Sequence, residues 1–530
     1  MKILICDPIA EDGLALLRQR AQVDVLTNLS LGELVQQIPA YHAVIVRSQT
    51  HIGASVIAAG TRLRVIGRAG VGVDNIDVDA ASQRGIIVVN APTAANVAAA
   101  EHALALMFAL ARGLPQADAS MKAGLWQRSR FLGIELRGKI LGVVGLGHIG
   151  AELARRAVAL GMQVVAFDPF VTREYAQRLG VTTTTLSEML AVADFVSIHV
   201  PLTQATRGLI GAEELSHMKK SARLVNCARG GIVDESSLAD ALARGQIAGA
   251  GVDVFEEEPP SSSPLLRNRE IWDRIVLTPH LGASTEEAQV GAAVEVARQV
   301  IAVLNGEPAR YAVNAPAILP ETMIALAPYV ALGEKLGYLY AQLVDGPLDR
   351  LEIDYGGEIA EYDTTPIKAA VVKGFLRAAT PEHITLVNAL LLAKNRGLTI
   401  VERKSTTTAE SYANLLSVRA DGEQFVCELA GTVHGTEPHI VRINQYWVDM
   451  VIPSSGYLMF CYHSDRPGMI GSIGSMLGNA DVNISFMQVG RRAPRGEAMM
   501  VLGLDDSVPD ELYQRIVAES DIRAARLAHL

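Results

Sequence analysis

Residues 140 to 150 read I-L-G-V-V-G-L-G-H-I-G, a strand-forming run that passes straight into G-x-G-x-x-G with Gly145, Gly147 and Gly150 as its glycines. A-E-L-A-R-R-A-V-A-L follows at 151 to 160 and reads as a helix. Small residues at such a junction let the backbone turn and approach a pyrophosphate at the helix N-terminus, where unpaired N–H groups favour an anion. Glycine spacing alone is weak evidence. The next strand, V-V-A-F-D at 164 to 168, ends in Asp168 about twenty residues on, where a carboxylate can accept both ribose hydroxyls of an adenosine. The same carboxylate would repel a 2′-phosphate, which favours NAD over NADP.

Working outward, near-continuous apolar strands recur at 195–200, 224–228, 250–254 and 275–279. With 140–145 and 164–168 they make six, and parallel strands of this kind alternating with helices build a doubly wound sheet. Upstream, β-branched runs at Lys2–Cys6, Val23–Leu26, Ala43–Val46, Arg64–Ile66 and Ile86–Val89 predict another parallel sheet. Between the two lies E-H-A-L-A-L-M-F-A-L-A-R at 101 to 112, apolar nearly all round, as a helix packed between two domains would be. The helix expected from about 285 to 304 has no strand after it and would return the chain to the first sheet, making the N-terminal domain discontinuous.

At roughly 100 to 200 residues per domain, 530 residues make about three to five domains. Lys and Arg number 47 against 57 Asp and Glu, a formal charge of −10, which argues against a protein built to neutralise nucleic-acid phosphates or coat an anionic membrane. No run of eighteen uncharged apolar residues occurs, so no span is expected. Cys6, Cys227, Cys427 and Cys461 lie far apart without C-x-x-C, which suggests neither a disulfide framework nor a zinc site and fits a reducing cytoplasm. His434 and His439 sit in a Gly/Pro-containing turn where nothing presents two imidazoles on one helical face, so no metal is expected.

Beyond Pro316 and Pro320 mixed strands and helices continue to about 453, where P-S-S-G supplies a linker. The remainder reads strand (457–462), helix (469–477), strand (482–489), strand (498–504), helix (510–518) and a short last strand, the βαββαβ order of a ferredoxin-like unit.

Ligands of open α/β sheets bind beyond the carboxyl ends of the strands, and three polar residues stand at such ends. Arg229 precedes Gly230 and Gly231, in a turn that leaves its guanidinium free to grip a carboxylate bidentately. Glu258 follows the strand carrying Asp253, and His280 closes I-V-L-T-P. An imidazole there could take a hydroxyl proton while hydride leaves the same carbon, and a carboxylate on its other nitrogen would fix the tautomer. That is a dehydrogenase site.

The runs G-R-A-G-V-G-V-D-N (67–75), N-C-A-R-G-G-I-V-D-E (226–235), D-V-F-x-x-E-P (253–259) and P-H-L-G-A-S-T-x-E-A (279–288) together resemble the D-2-hydroxyacid dehydrogenases. The match is closest to the long branch that oxidises 3-phospho-D-glycerate to 3-phosphohydroxypyruvate, the first step of L-serine biosynthesis. The resemblance covers the whole chain. It implies an α/β fold: a doubly wound Rossmann NAD domain at 99–284, a discontinuous flavodoxin-like substrate domain at 1–98 and 285–316, an α+β intervening domain at 317–453 and a ferredoxin-like ACT domain at 454–530.

It further implies that Arg229 binds the substrate carboxylate, His280 is the acid/base and Glu258 its partner. Gly145, Gly147, His148, Ile149, Gly150, Asp168, Cys227, Ala228, Arg229, Asp253, His280, Gly282 and Ala283 would line the NAD site. Arg47, Arg68 and Arg229 would face the phosphorylated acid, with Arg128 supplied by a neighbouring subunit of a homotetramer. His463, Asp465 and Asn483 would bind L-serine as a feedback effector between two ACT domains. One departure is Ala94, Ala95 and then Asn96 after N-A-P-T, where the family has Ser-Asn; this bears on substrate affinity and leaves the reaction type untouched. Two other readings stay open: a dehydrogenase for another D-2-hydroxy acid, such as D-glycerate or 2-hydroxyglutarate, and a non-catalytic NAD and amino-acid sensor. Three cleft arginines favour the phosphorylated acid.

Overall fold

The computed structural model describes residues 1–530 except 316–319, 345, 347, 381–383, 409–411, 421–424 and 454. Strands β1 (Lys2–Ile5), β2 (Gln22–Val25), β3 (Ala43–Val46), β4 (Val65–Arg68) and β5 (Ile87–Asn90) form a parallel sheet ordered β2-β1-β3-β4-β5, the flavodoxin-like arrangement. Its inner strands are buried on both faces because helices cover both. One covering helix comes from far along the chain: Glu286–Leu304 buries Ala292, Val296 and Val300 against Ile3, Ile45 and Val65. The approach is close enough that a Cβ on Gly67 would stand 2.6 Å from a Val296 methyl.

β6 (Ile140–Val144), β7 (Gln163–Phe167), β8 (Val181–Thr183), β9 (Phe195–Ile198), β10 (Arg223–Asn226), β11 (Gly249–Val252) and β12 (Ile275–Leu277) form a second parallel sheet ordered β12-β11-β10-β9-β6-β7-β8. The order reverses between β6 and β9, the topological switch point at which such sheets take dinucleotides. Six apolar runs predict six strands here; the seventh, β8, is the edge triplet V-T-T, too short and too polar to announce itself. Helix Asn96–Arg112 begins five residues earlier than expected and lays Leu106 and Leu110 over Gly249 and Gly251 of β11. Its Ala98 meets Ala288 of the returning helix, so it touches both halves.

β13 (Arg350–Gly357), β14 (Thr399–Ser405), β15 (Asn414–Arg419), β16 (Glu428–His434), β17 (Glu437–Ile443) and β18 (Tyr446–Val451) make a mixed sheet ordered β14-β13-β15-β16-β17-β18. It is covered by helices Pro320–Leu343 and Thr365–Ala379, which meet at Gly337 and Gly374, each with room for no Cβ. β19 (Tyr457–Ser464), β20 (Ile484–Arg491), β21 (Glu497–Leu504) and β22 (Ile522–His529) close the chain as an antiparallel sheet ordered β20-β21-β19-β22, with helices Met469–Asn479 and Asp510–Val517, in the expected ferredoxin-like order. Among the described residues no single helix is long and apolar enough to cross a membrane; only a pair bent by 63°, Asn96–Arg112 with Leu114–Lys122, passes by length and composition together.

Candidate active site

Gly145 follows β6 with φ +92°, a left-handed conformation that favours glycine, and Gly147 caps helix His148–Ala159. A Cβ at Gly150 would lie 2.0 Å from the Gly145 carbonyl oxygen, whereas nothing stands within 4 Å of one at Gly147. The turn is closed on the strand side and open beyond the helix end, a cradle for a pyrophosphate. His148 is exposed and Ile149 half-buried beside it. Asp168, just past β7, accepts from Leu146 N–H and Phe170 N–H, both at 2.8 Å, which hold its carboxylate at the mouth of the glycine turn. Each oxygen keeps a second lone pair for a ribose hydroxyl. These residues fit NAD.

The ends of β10, β11 and β12 assemble the rest. Asp253 is fully buried. It accepts from Thr278 Oγ1 at 2.6 Å, Leu281 N–H at 2.7 Å and Gly282 N–H at 2.9 Å, and pairs with His102 Nε2 at 3.1 Å. Burial alone would raise its carboxyl, but the bonds from His102, Thr278 and Leu281 outweigh it and hold the group below the usual carboxylate range. Asp253 thereby fixes the backbone from Leu281 to Gly282, with Ala283 next in line. Cys227 lies half-buried nearby; burial, reinforced by the Asp253 charge, pushes its thiol up and so disfavours the thiolate. The neighbouring Ala228 accepts from the Arg229 guanidinium at 2.7 Å through its carbonyl. Sequence reasoning missed His102 and Thr278: a lone His inside an apolar helix and a Thr just past a strand carry no signal until Asp253 gathers them.

His280 has φ +56°, and its N–H donates to the carbonyls of Asp253 and Thr278. Its Nδ1 stands 2.8 Å from Glu258 Oε2, while Glu258 Oε1 accepts from Phe255 N–H at 3.1 Å. Burial raises the Glu258 carboxyl, yet the His280 and Phe255 bonds prevail and leave it lowered. An ionised Glu258 can only accept, so Nδ1 carries the hydrogen and Nε2 presents its lone pair for a proton.

Arg229 reaches across the cleft from the end of β10. Its Nε meets Asp74 Oδ2 at 3.3 Å, and its guanidinium crowds Gly72 so closely that a Cβ there would lie 2.2 Å from it. Arg68, at the end of β4, is pushed down to about 10, by burial first and then by Arg229 and Arg47; it stays cationic at neutral pH, and its Nε is buried without a hydrogen-bond partner among the described residues. Arg47 is set by a clamp the sequence did not reveal: Asp7 accepts from Arg47 N–H at 2.6 Å and Thr50 Oγ1 at 2.6 Å, and Asn75 donates to the Arg47 and Thr50 carbonyls at 2.8 and 2.6 Å. Arg47, Arg68 and Arg229 are thus brought together as a cationic group facing an exposed acid, Asp74, that an incoming anion would displace. Arg128 is not part of it: it is exposed, in a short turn Arg128–Arg130, with no side-chain hydrogen bond among the described residues. Asn96, first residue of its helix, has a buried Oδ1 that lacks a partner among the described residues.

The chain is 46% identical over 526 residues to a D-3-phosphoglycerate dehydrogenase of Synechocystis sp., covering 99% of this chain and 94% of the relative. It is 44% identical to the enzyme so named from Methanocaldococcus jannaschii, over the whole of both chains. This chain belongs to the D-3-phosphoglycerate dehydrogenase family. The family's parts appear in sequence: the D-isomer specific 2-hydroxyacid dehydrogenase NAD binding domain matches residues 104–282, the D-3-phosphoglycerate dehydrogenase intervening domain 325–444 and the ACT domain 457–521. Among solved structures, the TT0316 protein of Thermus thermophilus is 35% identical with a TM-score of 0.54, covering 59% of this chain and all of its own. D-lactate dehydrogenase of Aquifex aeolicus, complexed with NAD and lactic acid, is 28% identical with a TM-score of 0.53, covering 57% of this chain and 96% of its own.

The three expected effector residues of this family member's ACT domain have distinct surroundings. His463 is buried in β19 with its Nδ1 unpartnered among the described residues, lining a cleft with Tyr446, Tyr462, Glu497 and Arg523. Asp465 accepts from Arg491 at 2.9 Å and from Arg495 N–H at 3.0 Å. Asn483 donates to Asp505 at 2.6 Å.

Proposed function

We propose that this chain is an NAD-dependent dehydrogenase that oxidises 3-phospho-D-glycerate to 3-phosphohydroxypyruvate, opening L-serine biosynthesis. The observation that supports it is the His280–Glu258 pair at the strand ends of a dinucleotide-binding sheet that also carries Arg229, whose charge acts together with those of Arg47 and Arg68. Arg229 grips the substrate carboxylate, and Arg47 and Arg68 take the phosphate. Nε2 of His280 receives the C2 hydroxyl proton, and Glu258 stabilises the imidazolium that results. Bound at the glycine turn and Asp168, NAD supplies the hydride acceptor. The Asp253 network holds the 281–283 backbone against the cofactor, and closure of the cleft would expel water and strengthen each charge contact.

The chain is divided as 1–98 with 285–316 for substrate, 99–284 for NAD, 317–453 intervening and 454–530 regulatory. It works as a cytoplasmic homotetramer in which Arg128 completes a neighbour's cleft, and L-serine binds at His463, Asp465 and Asn483 as feedback inhibitor. Support for a subunit contact near Arg128 comes from the exposed Met121, Leu125, Trp126 and Leu132 around it. The test is NADH formation from NAD with 3-phosphoglycerate, D-glycerate or 2-hydroxyglutarate, each with and without L-serine. Turnover selective for the phosphorylated acid and suppressed by serine is the expected result. Activity on an unphosphorylated acid alone, or none in either direction, would overturn the substrate or the enzyme reading respectively.

A further inference from the structure

The Gly/Pro-containing sequence predicts a turn at His434 and His439, but the turn is only Gly435 and Thr436: His434 pairs with Glu437 across a two-residue hairpin, so both histidines stand in strands. His439 is opposite Thr432 on β16 and opposite Val451 on β18. Cross-strand partners and residues two apart share a face, so Thr432, His434, His439, Asp449 and Val451 all lie on one side of the sheet. Along β18 the alternation is visible directly, with Trp447, Asp449 and Val451 exposed and Tyr446, Val448 and Met450 buried.

Three strands thus deliver two imidazoles and a carboxylate to one spot. His439 Nδ1 is 2.8 Å from Asp449 Oδ1, the two imidazole centroids are 4.6 Å apart at 88°, and one ligand atom from each of the three residues lies within 4.8 Å of the others. His434 makes no side-chain hydrogen bond among the described residues; its ring rests against Tyr412, which stacks on Trp447. Around a tetrahedral zinc ion with bonds of about 2.0 to 2.1 Å the ligand atoms stand about 3.4 Å apart. His439 and Asp449 need open only slightly to reach that spacing, and His434, within 4.8 Å of both and exposed, can adjust by small χ rotations.

We infer that His434, His439 and Asp449 form a binding site for a divalent first-row transition metal of the zinc class, on the outer face of the intervening sheet. Two imidazoles and one carboxylate are a borderline-soft donor set that selects against magnesium and calcium and leaves a fourth position for water. The ion would tie β16, β17 and β18 together. β18 is also the strand that meets the last sheet, since a Cβ on Gly490 of β20 would lie 2.5 Å from the Trp447 carbonyl oxygen. The site therefore sits where an ion would stiffen the strand joining the intervening and C-terminal sheets.

Zinc chloride is the probe. Full-length protein is stripped with a chelator and dialysed to equilibrium; any zinc held by the His102, Cys227 and Asp253 group is common to wild type and variants and cancels in the comparison. The wild type should retain one more zinc per chain than the His434→Ala/His439→Ala double variant, and zinc should raise its Tm but not the variant's. Asp449→Asn, at an exposed position that keeps the side-chain shape, should weaken zinc binding by at least about tenfold and serves if the double variant folds poorly. Circular dichroism and zinc-free turnover equal to wild type identify variants that are folded. Equal zinc retention by the wild type, the double variant and Asp449→Asn, or no retention by any of them, would overturn the assignment.

Discussion

Each cleft residue makes a separable demand on kinetics. Arg229 spans the cleft, and two charge-assisted bonds to a carboxylate are worth about 1.5 to 3 kcal/mol each. Arg229→Ala should therefore lower kcat/KM by on the order of 10²-fold or more, with a rise in KM. His280→Ala removes only the proton acceptor and should lower kcat by roughly 10² to 10⁴ with little change in KM. NADH binding, followed by its fluorescence, should survive both; loss of it in either variant would mean the residue holds the cofactor or the fold. Asp253 is different because its work is structural. Its carboxyl is depressed in the folded protein, so the stability it contributes is complete above the ordinary carboxylate range and is lost as pH falls through the depressed folded value. Asp253→Asn should lower the urea midpoint clearly at about pH 7 and by a smaller margin at about pH 3. A gap that stays constant with pH would show that the charge is not what stabilises the loop.

Elements differ in how far the sequence discloses them. Gly145, Gly147, Gly150 and Asp168 were legible because each is forced by a local requirement, and the structure gives its size: a methyl at Gly150 would meet the Gly145 carbonyl at 2.0 Å. Gly150→Ala must part the helix from β6, and should weaken NADH binding by at least about tenfold while circular dichroism stays near wild type; unchanged affinity would mean that the turn yields without moving the helix end. Long apolar strands were legible for the same local reason. The edge strand β8 was not, since three residues supply no period. Nor was the grouping of His434, His439 and Asp449, because cross-strand neighbours depend on hairpin register, and the sequence marks a Gly-containing turn without counting its residues. His102 and the Asp7–Asn75 clamp on Arg47 were hidden likewise: their partners lie far along the chain and are joined only by tertiary packing.

At the scale of the whole molecule, serine acting as the proposed effector would reach the cleft through elements that touch. Gln342, in helix Pro320–Leu343, exchanges two hydrogen bonds with the backbone of His529 at the end of β22, at 3.0 and 2.8 Å. The same intervening unit meets the first sheet's unit where Thr385 donates to the Gly85 carbonyl at 3.2 Å and Asn388 to that of Gln83 at 3.4 Å. Gly85 has φ +68°, and a Cβ there would stand 2.7 Å from Thr385 Oγ1, so this contact has little slack. An effector that shifts the last sheet thus has a continuous mechanical connection to the domain carrying Arg47 and Arg68, and proximity becomes coupling only if breaking a joint changes the response. Gln342→Ala lies outside the cleft and should leave turnover without serine near wild type. It should raise the serine concentration for half-inhibition by at least about fivefold, the lower range of allosteric coupling energies. Thr385→Val should act in the same direction, and because both joints are in series the double variant should fall short of the product of the two effects. Full multiplicativity would mean independent routes, and an unchanged serine response in both single variants would mean that neither joint carries the coupling.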